Sequence, residues 1–323
     1  MSTAAPVPET YELTGDDARE TLRNTGRRRL LEDAFVRLRA ADGFSHARSL
    51  AYVTSLLMIQ GVIALVGVAA ALGDHGIGDA IVRTVRAAAP GPVGRLLTRG
   101  VAQASQVGDS GRDLAIILGG IGAIVTATTL LGQIERALNR LYGVERDRTT
   151  VQKYGRAFLM AITVGVLATA SFVLFAFGRE VGDAFNDGAA MTVWNVARWP
   201  LALALLVTAT ALLFRWSPRR RQPAWSWLAY GAGVSVLLWS AVTLGLGLLL
   251  RVTGGFGQTY GPLAGIVALL FWAFFSSVAV LYGAAVAAQL EAVRAGASTP
   301  RASTRAEPVD TLPPIEPVSE LVV

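Results

Sequence analysis

The sequence predicts an all-α integral membrane protein, a bundle of six transmembrane helices with amphipathic helices at its surface, on three observations. Six apolar blocks reach or approach the roughly 20 residues needed to cross a bilayer. Hydrophobic residues make up 53% of the chain and charged residues only 16%, and the mean hydropathy of +0.47 is too high for an ordinary soluble domain. The basic residues gather in alternate connections between the blocks, the bias that orients polytopic proteins with their positive loops inside.

In chain order, residues 1–26 are polar, with an acidic stretch from Glu9 to Asp17 and no apolar core such as a cleaved signal peptide needs. They are expected to form a disordered cytoplasmic tail. From Arg27 to Arg39, Leu30, Leu31, Ala34, Phe35 and Leu38 share one side of a helix, with Arg28, Arg29, Asp33, Arg37 and Arg39 elsewhere. Two placements fit: on the membrane surface with arginines toward anionic headgroups, or packed beneath the cytoplasmic ends of the spans.

The membrane domain covers 27–291, with spans at about 49–72, 114–134, 157–177, 199–214, 224–250 and 263–289. The fourth block is the shortest and starts at Pro200, and Val193 to Ala197 can lengthen it. Dense basic residues precede the first span and fill the connections between the second and third (Arg136, Arg140, Arg146, Arg148, Lys153, Arg156) and the fourth and fifth (Arg215, Arg219, Arg220, Arg221). An even number of spans with this bias puts both termini in the cytoplasm. The connection at 73–113 is too long for a simple loop, and its apolar stripes around Ile81 and Leu97 predict two short amphipathic helices outside. After Glu291 the chain turns to Ala, Ser, Thr and Pro, so 292–323 is expected to be a disordered cytoplasmic tail.

The last span organises the rest. From Leu263 to Leu290 it holds no charged side chain. Gly265, Trp272, Ser276, Ala279, Gly283 and Ala287 form a small, mildly polar face that should look into the bundle, while Val267, Phe271, Phe274, Val278 and Leu281 should face lipid. The run TYGPLAG before it, the YGA and closing LE after it, Ser49-Leu50-Ala51-Tyr52 at the first span, and Arg136-Ala137-Leu138-Asn139-Arg140-Leu141-Tyr142-Gly143-Val144 after the second resemble the YihY/BrkB family of bacterial inner-membrane proteins. The resemblance runs from about Leu30 to Glu291, and the 136–144 stretch is its most specific part. Where that family usually continues its last helix as GAELNA, this chain has Ala285, Ala287 and Gln289.

The resemblance also brings the label ribonuclease BN, which the residues do not support. Metal-dependent cleavage needs clustered His and carboxylates. This chain has two His and no Cys, and His46 and His75 flank the first span, on opposite sides of a hydrocarbon layer about 30 Å thick. No enzyme activity, metal or cofactor is therefore expected.

What remains is uncharged polarity within the spans. Tyr52, Gln60, Ser240, Thr243, Ser276 and Ser277 are candidates for lining a substrate path, although helix packing and interhelical hydrogen bonding explain such stripes more simply. Arg136 and Arg140, one turn apart, can grip an anionic headgroup or merely anchor the helix end. The family's molecular activity is loosely linked to envelope integrity and export of lipid-like molecules, which implies a transporter or flippase-like protein for an amphipathic or lipid-linked substrate. The alternatives are a non-transporting envelope or scaffold protein and, least favoured, a membrane hydrolase or nuclease. Expected partners are membrane lipids through anionic headgroups and a lipid-like substrate, not nucleic acid; a homo-oligomer is compatible with the sequence.

Overall fold

Polypeptide that crosses lipid has to bond its own backbone groups, so apolar blocks of this length can only be helices. In the computed structural model, which describes residues 3–9, 15–72, 109–183, 188–252, 256–297 and 299–300, they are. Eight helices lie among the described residues: α1 (Gly15–Thr25), α2 (Arg27–Ala40), α3 (Gly43–Leu72), α4 (Asp109–Leu141), α5 (Thr150–Asp183), α6 (Gly188–Trp216), α7 (Trp225–Val252) and α8 (Phe256–Arg294). Five of them, α4 to α8, contain described stretches long and apolar enough to cross a membrane, and α3 is a 30-residue helix of similar character.

The six long helices pack as a closed ring. Each lies chiefly against the next in sequence, and α8 closes the circle by packing on α3 as well as on α7. The starts of α3, α5 and α7 and the ends of α4, α6 and α8 are tied together at one end, termed here the basic end: Arg148 at the head of α5 donates to carbonyls after α6, and Arg220 ahead of α7 pairs with Glu291 on α8.

Several expectations change in detail. The helices outrun the apolar blocks, because neighbouring helices and arginines support polar turns beyond the hydrocarbon. Thus α6 begins at Gly188, takes in Val193 to Ala197 and continues through Pro200. α8 begins at Phe256, ahead of Gly261. α2 packs on α8, with Leu30, Ala34, Arg37 and Leu38 buried, so it adopts the second placement, beneath the span ends. Arg37 sits on its inner side, opposite to the sequence reading. The first 26 residues are not featureless: α1 is helical, and 3–9 lie against the basic end with Ala4 and Val7 buried. The two helices expected within 73–113 fall outside the described residues, except for the start of α4, as does most of the tail after Ala297.

The last span obeys its pattern for only half its length. Trp272, Ala279 and Ala287 are buried and Phe271 is 53% exposed, as expected. Leu281, however, is fully buried. From Leu281 to Ala292 every side chain is buried apart from the half-buried Tyr282, because α2 covers the face that lipid would otherwise meet, and the Tyr282 hydroxyl donates to the Leu31 carbonyl at 2.9 Å.

Candidate functional site

The ring encloses a cavity of about 240 Å³ to which all six long helices contribute, through Thr54, Leu130, Phe172, Thr210, Ser235, Trp239, Trp272, Ser276 and Ser277 among others. A second cavity, of about 310 Å³, shares Phe172 and Trp239 as a wall and is lined further by Trp199, Ser240, Thr243 and Leu244. Aromatic edges order that wall: Trp239 lies edge-on to Phe172, with ring centroids 5.8 Å apart, and to Trp272 at 6.5 Å. Trp272 Nε1–H donates to Thr243 Oγ1 at 3.1 Å, fixing the indole, since a buried Trp N–H needs a partner.

These cavities are apolar with isolated hydroxyls. Ser277 donates to the Ala273 carbonyl and Thr210 to the Leu206 carbonyl, so each turns its proton back onto its own helix. The Ser276 hydroxyl oxygen is buried without a hydrogen-bond partner. Such a lining suits an alkyl chain and offers a few hydroxyls to an ester, amide or alcohol.

Of the six predicted path residues, four assemble here: Ser276 and Ser277 at the first cavity, Ser240 and Thr243 at the second. The other two do not. Tyr52 is 62% exposed and points away from the ring axis, because the inward face of α3 is formed by Leu50, Val53 and Thr54. Gln60 turns to α4, where it crowds Gly122, and its amide oxygen is buried without a partner. Ser235, Thr210 and Trp239 escaped the sequence reading because one missing turn of periodicity looks like ordinary packing.

The closest helix contact is between α7 and α8. A Cβ on Gly283 would collide with Ser235 Oγ and the Gly231 carbonyl, and one on Gly231 would lie 2.5 Å from the Gly283 carbonyl oxygen. This is small-residue packing of the kind membrane helices use. The glycine of α7 that matters is Gly231; Gly233, half a turn away, has open space around it.

The basic end is built differently. Three helix C-termini converge there, each with the negative end of its dipole, and arginines bond to the end carbonyls of two of them, α4 and α6. Arg37 donates to the Leu141 carbonyl at 3.1 Å, Arg156 to Trp216 at 2.9 Å and Arg148 to Ser217 at 2.7 Å. Arg148 also pairs with buried Glu135 at 3.0 Å.

The 136–144 stretch is the hub. Asn139, fully buried, donates to Asp147 and accepts from the Arg219 backbone N–H at 2.8 Å. Arg140 Nη1 donates to the Val144 and Glu145 carbonyls. Gly143 ends the helix at φ +75, where a Cβ would strike the backbone of Pro6, so this position requires glycine for both conformation and space. Arg136 makes a 3.7 Å ion pair with Asp147 and remains 42% exposed.

At the centre of this end, Arg220 forks both carboxylate oxygens of Glu291 at 2.7 and 3.1 Å and stacks over the Tyr142 ring at 4.7 Å. Beside it, Arg37 Nε–H donates to Gln289 Oε1 at 2.7 Å. Burial, reinforced by the nearby Arg220 charge, lowers the Arg37 guanidinium to about 10. Burial and the neighbouring Glu291 push the Tyr142 phenol upward. Gln289 stands among the family's usual polar positions, and its place as partner of a buried arginine is information that the one-dimensional pattern lacked.

Among the described residues no three His, Cys, Asp or Glu side chains converge as metal ligands. His46 is partly buried at the start of α3, and His75 lies outside the described residues.

A family model for virulence factor BrkB matches residues 34–308. The chain belongs to the virulence factor BrkB family. Relatives include the YihY membrane protein of Escherichia coli, 30% identical over 54% of this chain, and a membrane protein of Pseudomonas aeruginosa, 28% identical over 53%. The ribonuclease-like protein YfkH of Bacillus subtilis is 25% identical over 53%. The matches span 58%, 41% and 63% of those relatives, respectively, so the chain covers less than two thirds of each. No solved structure matches it. Membership of BrkB together with several membrane-length helices makes this a multi-pass membrane protein.

Proposed function

We propose that this BrkB-family chain is a non-enzymatic, six-span transporter or flippase-like protein for an amphipathic or lipid-linked molecule, with both termini in the cytoplasm. The observation that carries the reading is a cavity lined by all six long helices together with an adjoining pocket between α5, α6 and α7, both apolar except for isolated hydroxyls. A molecule with alkyl chains and a modest polar group matches that lining, while an ion or sugar would leave its polar groups unpaired. The path runs through Ser240, Thr243, Ser276 and Ser277. Arg136, with one long ion pair, keeps donors for an anionic headgroup, whereas Arg140 turns inward to its own loop.

Mass spectrometry of lipids that co-purify with the full chain tests this. One lipid-linked species should be enriched over the bulk membrane and lost in Ser276→Leu, which fills the cavity. A wild-type lipid profile identical to bulk membrane would sink the proposal. For topology, an impermeant thiol reagent on intact cells should label a Cys placed at Ser105 and not one at Ser303; the reverse pattern would invert the orientation.

The scaffold reading draws on one observation too, the tightly packed basic end, where Arg37, Tyr142 and Glu291 are buried and Arg220 pairs with Glu291 at 2.7 Å. A transporter would need that end to loosen.

A further inference from the structure

A groove of about 440 Å³ runs along the outside of the ring between α3 and α8 and shares no lining residue with the two cavities above. Ala51 forms its floor, Val267, Phe271 and Phe274 one wall, and Arg48 and Tyr52 the edge nearest the basic end. Its size falls within the roughly 300–1,000 Å³ of small-molecule sites.

Arg48 and Tyr52 are one helical turn apart and so lie on one face of α3, with Ser45 just before them. Both are exposed. The only described hydrogen bond of the Arg48 side chain is a 3.3 Å contact to Ser45 Oγ, and among the described residues it makes no ion pair. Arg48 has no described bond to the helix-end carbonyls or carboxylates of the basic end. It stands where an apolar, outward-facing groove meets the polar end of the bundle.

We propose that this groove is a binding site for one anionic phospholipid. Its phosphate bonds to the Arg48 guanidinium and the Tyr52 hydroxyl, and one acyl chain lies along Val267, Phe271 and Phe274. The charge matches: an unpaired guanidinium offers bidentate donors to a phosphate oxygen pair, and an anionic headgroup gains from an interfacial Arg where a zwitterionic one gains little. The groove opens toward lipid and not toward the ring axis, so its occupant is a resident of the bilayer. Tyr52 accordingly belongs to this site and not to the central path. The site does not rest on the transport reading, and either can fail without the other.

The test uses the full chain in phosphatidylcholine nanodiscs doped with phosphatidylglycerol that carries a photoreactive diazirine in its acyl chain. Crosslinks mapped by peptide mass spectrometry should concentrate on the peptide containing Val267 to Phe274. They should drop about fivefold in Arg48→Gln, the factor expected for one interfacial arginine, and by less in Tyr52→Phe. Arg48→Lys should retain most of the labelling, showing that charge and not folding is at issue. Equal labelling by a phosphatidylcholine diazirine, or labelling unchanged in Arg48→Gln, would overturn the proposal and leave ordinary annular lipid.

Discussion

The two halves of α8 form one continuous helix and have opposite surroundings. Between Leu263 and Phe275 its sides alternate, Ala264, Ala268 and Trp272 buried, Leu263, Ile266 and Phe271 exposed, beside cavities with a buried, unbonded serine hydroxyl. Between Leu281 and Ala292 it is enclosed, and its polar groups Gln289 and Glu291 are bonded to buried arginines from two other segments. One half is loosely packed and apolar, the other tightly packed and charged. The difference teaches where this molecule can yield: bonded charge is costly to separate, whereas apolar walls around a void can repack at small cost.

The largest expected effect comes from breaking the tight half. Glu291→Leu strands the buried Arg220 guanidinium, at a cost of about 3–5 kcal/mol in stability. Adding Arg220→Met should restore much of that loss, because a buried pair replaced by apolar side chains is often close to neutral. Thermal unfolding in detergent, comparing the single and double variants, checks both halves of the statement. A single variant as stable as wild type would remove the contrast between the two regions.

Near the start of the tight half lies the Gly231 and Gly283 contact. Gly283→Ala should cost about 1–3 kcal/mol by overpacking, while Gly233→Ala, with open space at its Cβ, should be neutral or gain up to about 1 kcal/mol of helix propensity. The same melting assay should rank the two in that order. If they behave alike, the close approach of α7 and α8 is not where the structure puts it.

In the loose half, Ser276→Ala removes a buried hydroxyl that has no partner, so stability should hold within about 0.5 kcal/mol or rise. A clear loss would mean that the hydroxyl is bonded after all.

The smallest effect is a titration. Burial raises the Tyr142 phenol above its ordinary 10. A group raised on folding adds stability that is complete below its unfolded value, so this contribution persists below pH 10 and declines above it. Tyrosinate absorbance of the folded protein should therefore show Tyr142 titrating last, and Tyr142→Phe should leave the curve below about pH 10 unchanged. An early titrating component lost in Tyr142→Phe would show that this end is wetter than the packing implies.

Much of this arrangement is legible in one dimension. Blocks without charge have few ways to exist in lipid, so the helices and the membrane follow from composition and length. The small face of α8 was readable where one partner side meets lipid, at Trp272, Ser276 and Ala279. It ceased to be readable at Leu281, because a second layer, α2, covers the helix there. Four of the six polar residues expected on the path do meet at the cavities, whereas Tyr52 shares a helical face with Leu56, and periodicity alone gives no sign that this face looks outward.

Helices long and apolar enough for a membrane, with arginines gathered at alternate connections, are local consequences of hydropathy and charge. Only the tertiary structure decided what the arginines do. Arg37, Arg148 and Arg156 reach helix-end carbonyls of Leu141, Ser217 and Trp216, and Arg220 finds Glu291 across 71 residues of chain. A basic residue near a span reads the same whether it faces water or closes the end of a neighbouring helix. The choice is made by which carbonyls the folded ring brings within 3 Å, and that is a property of the assembled helices and of no single one of them.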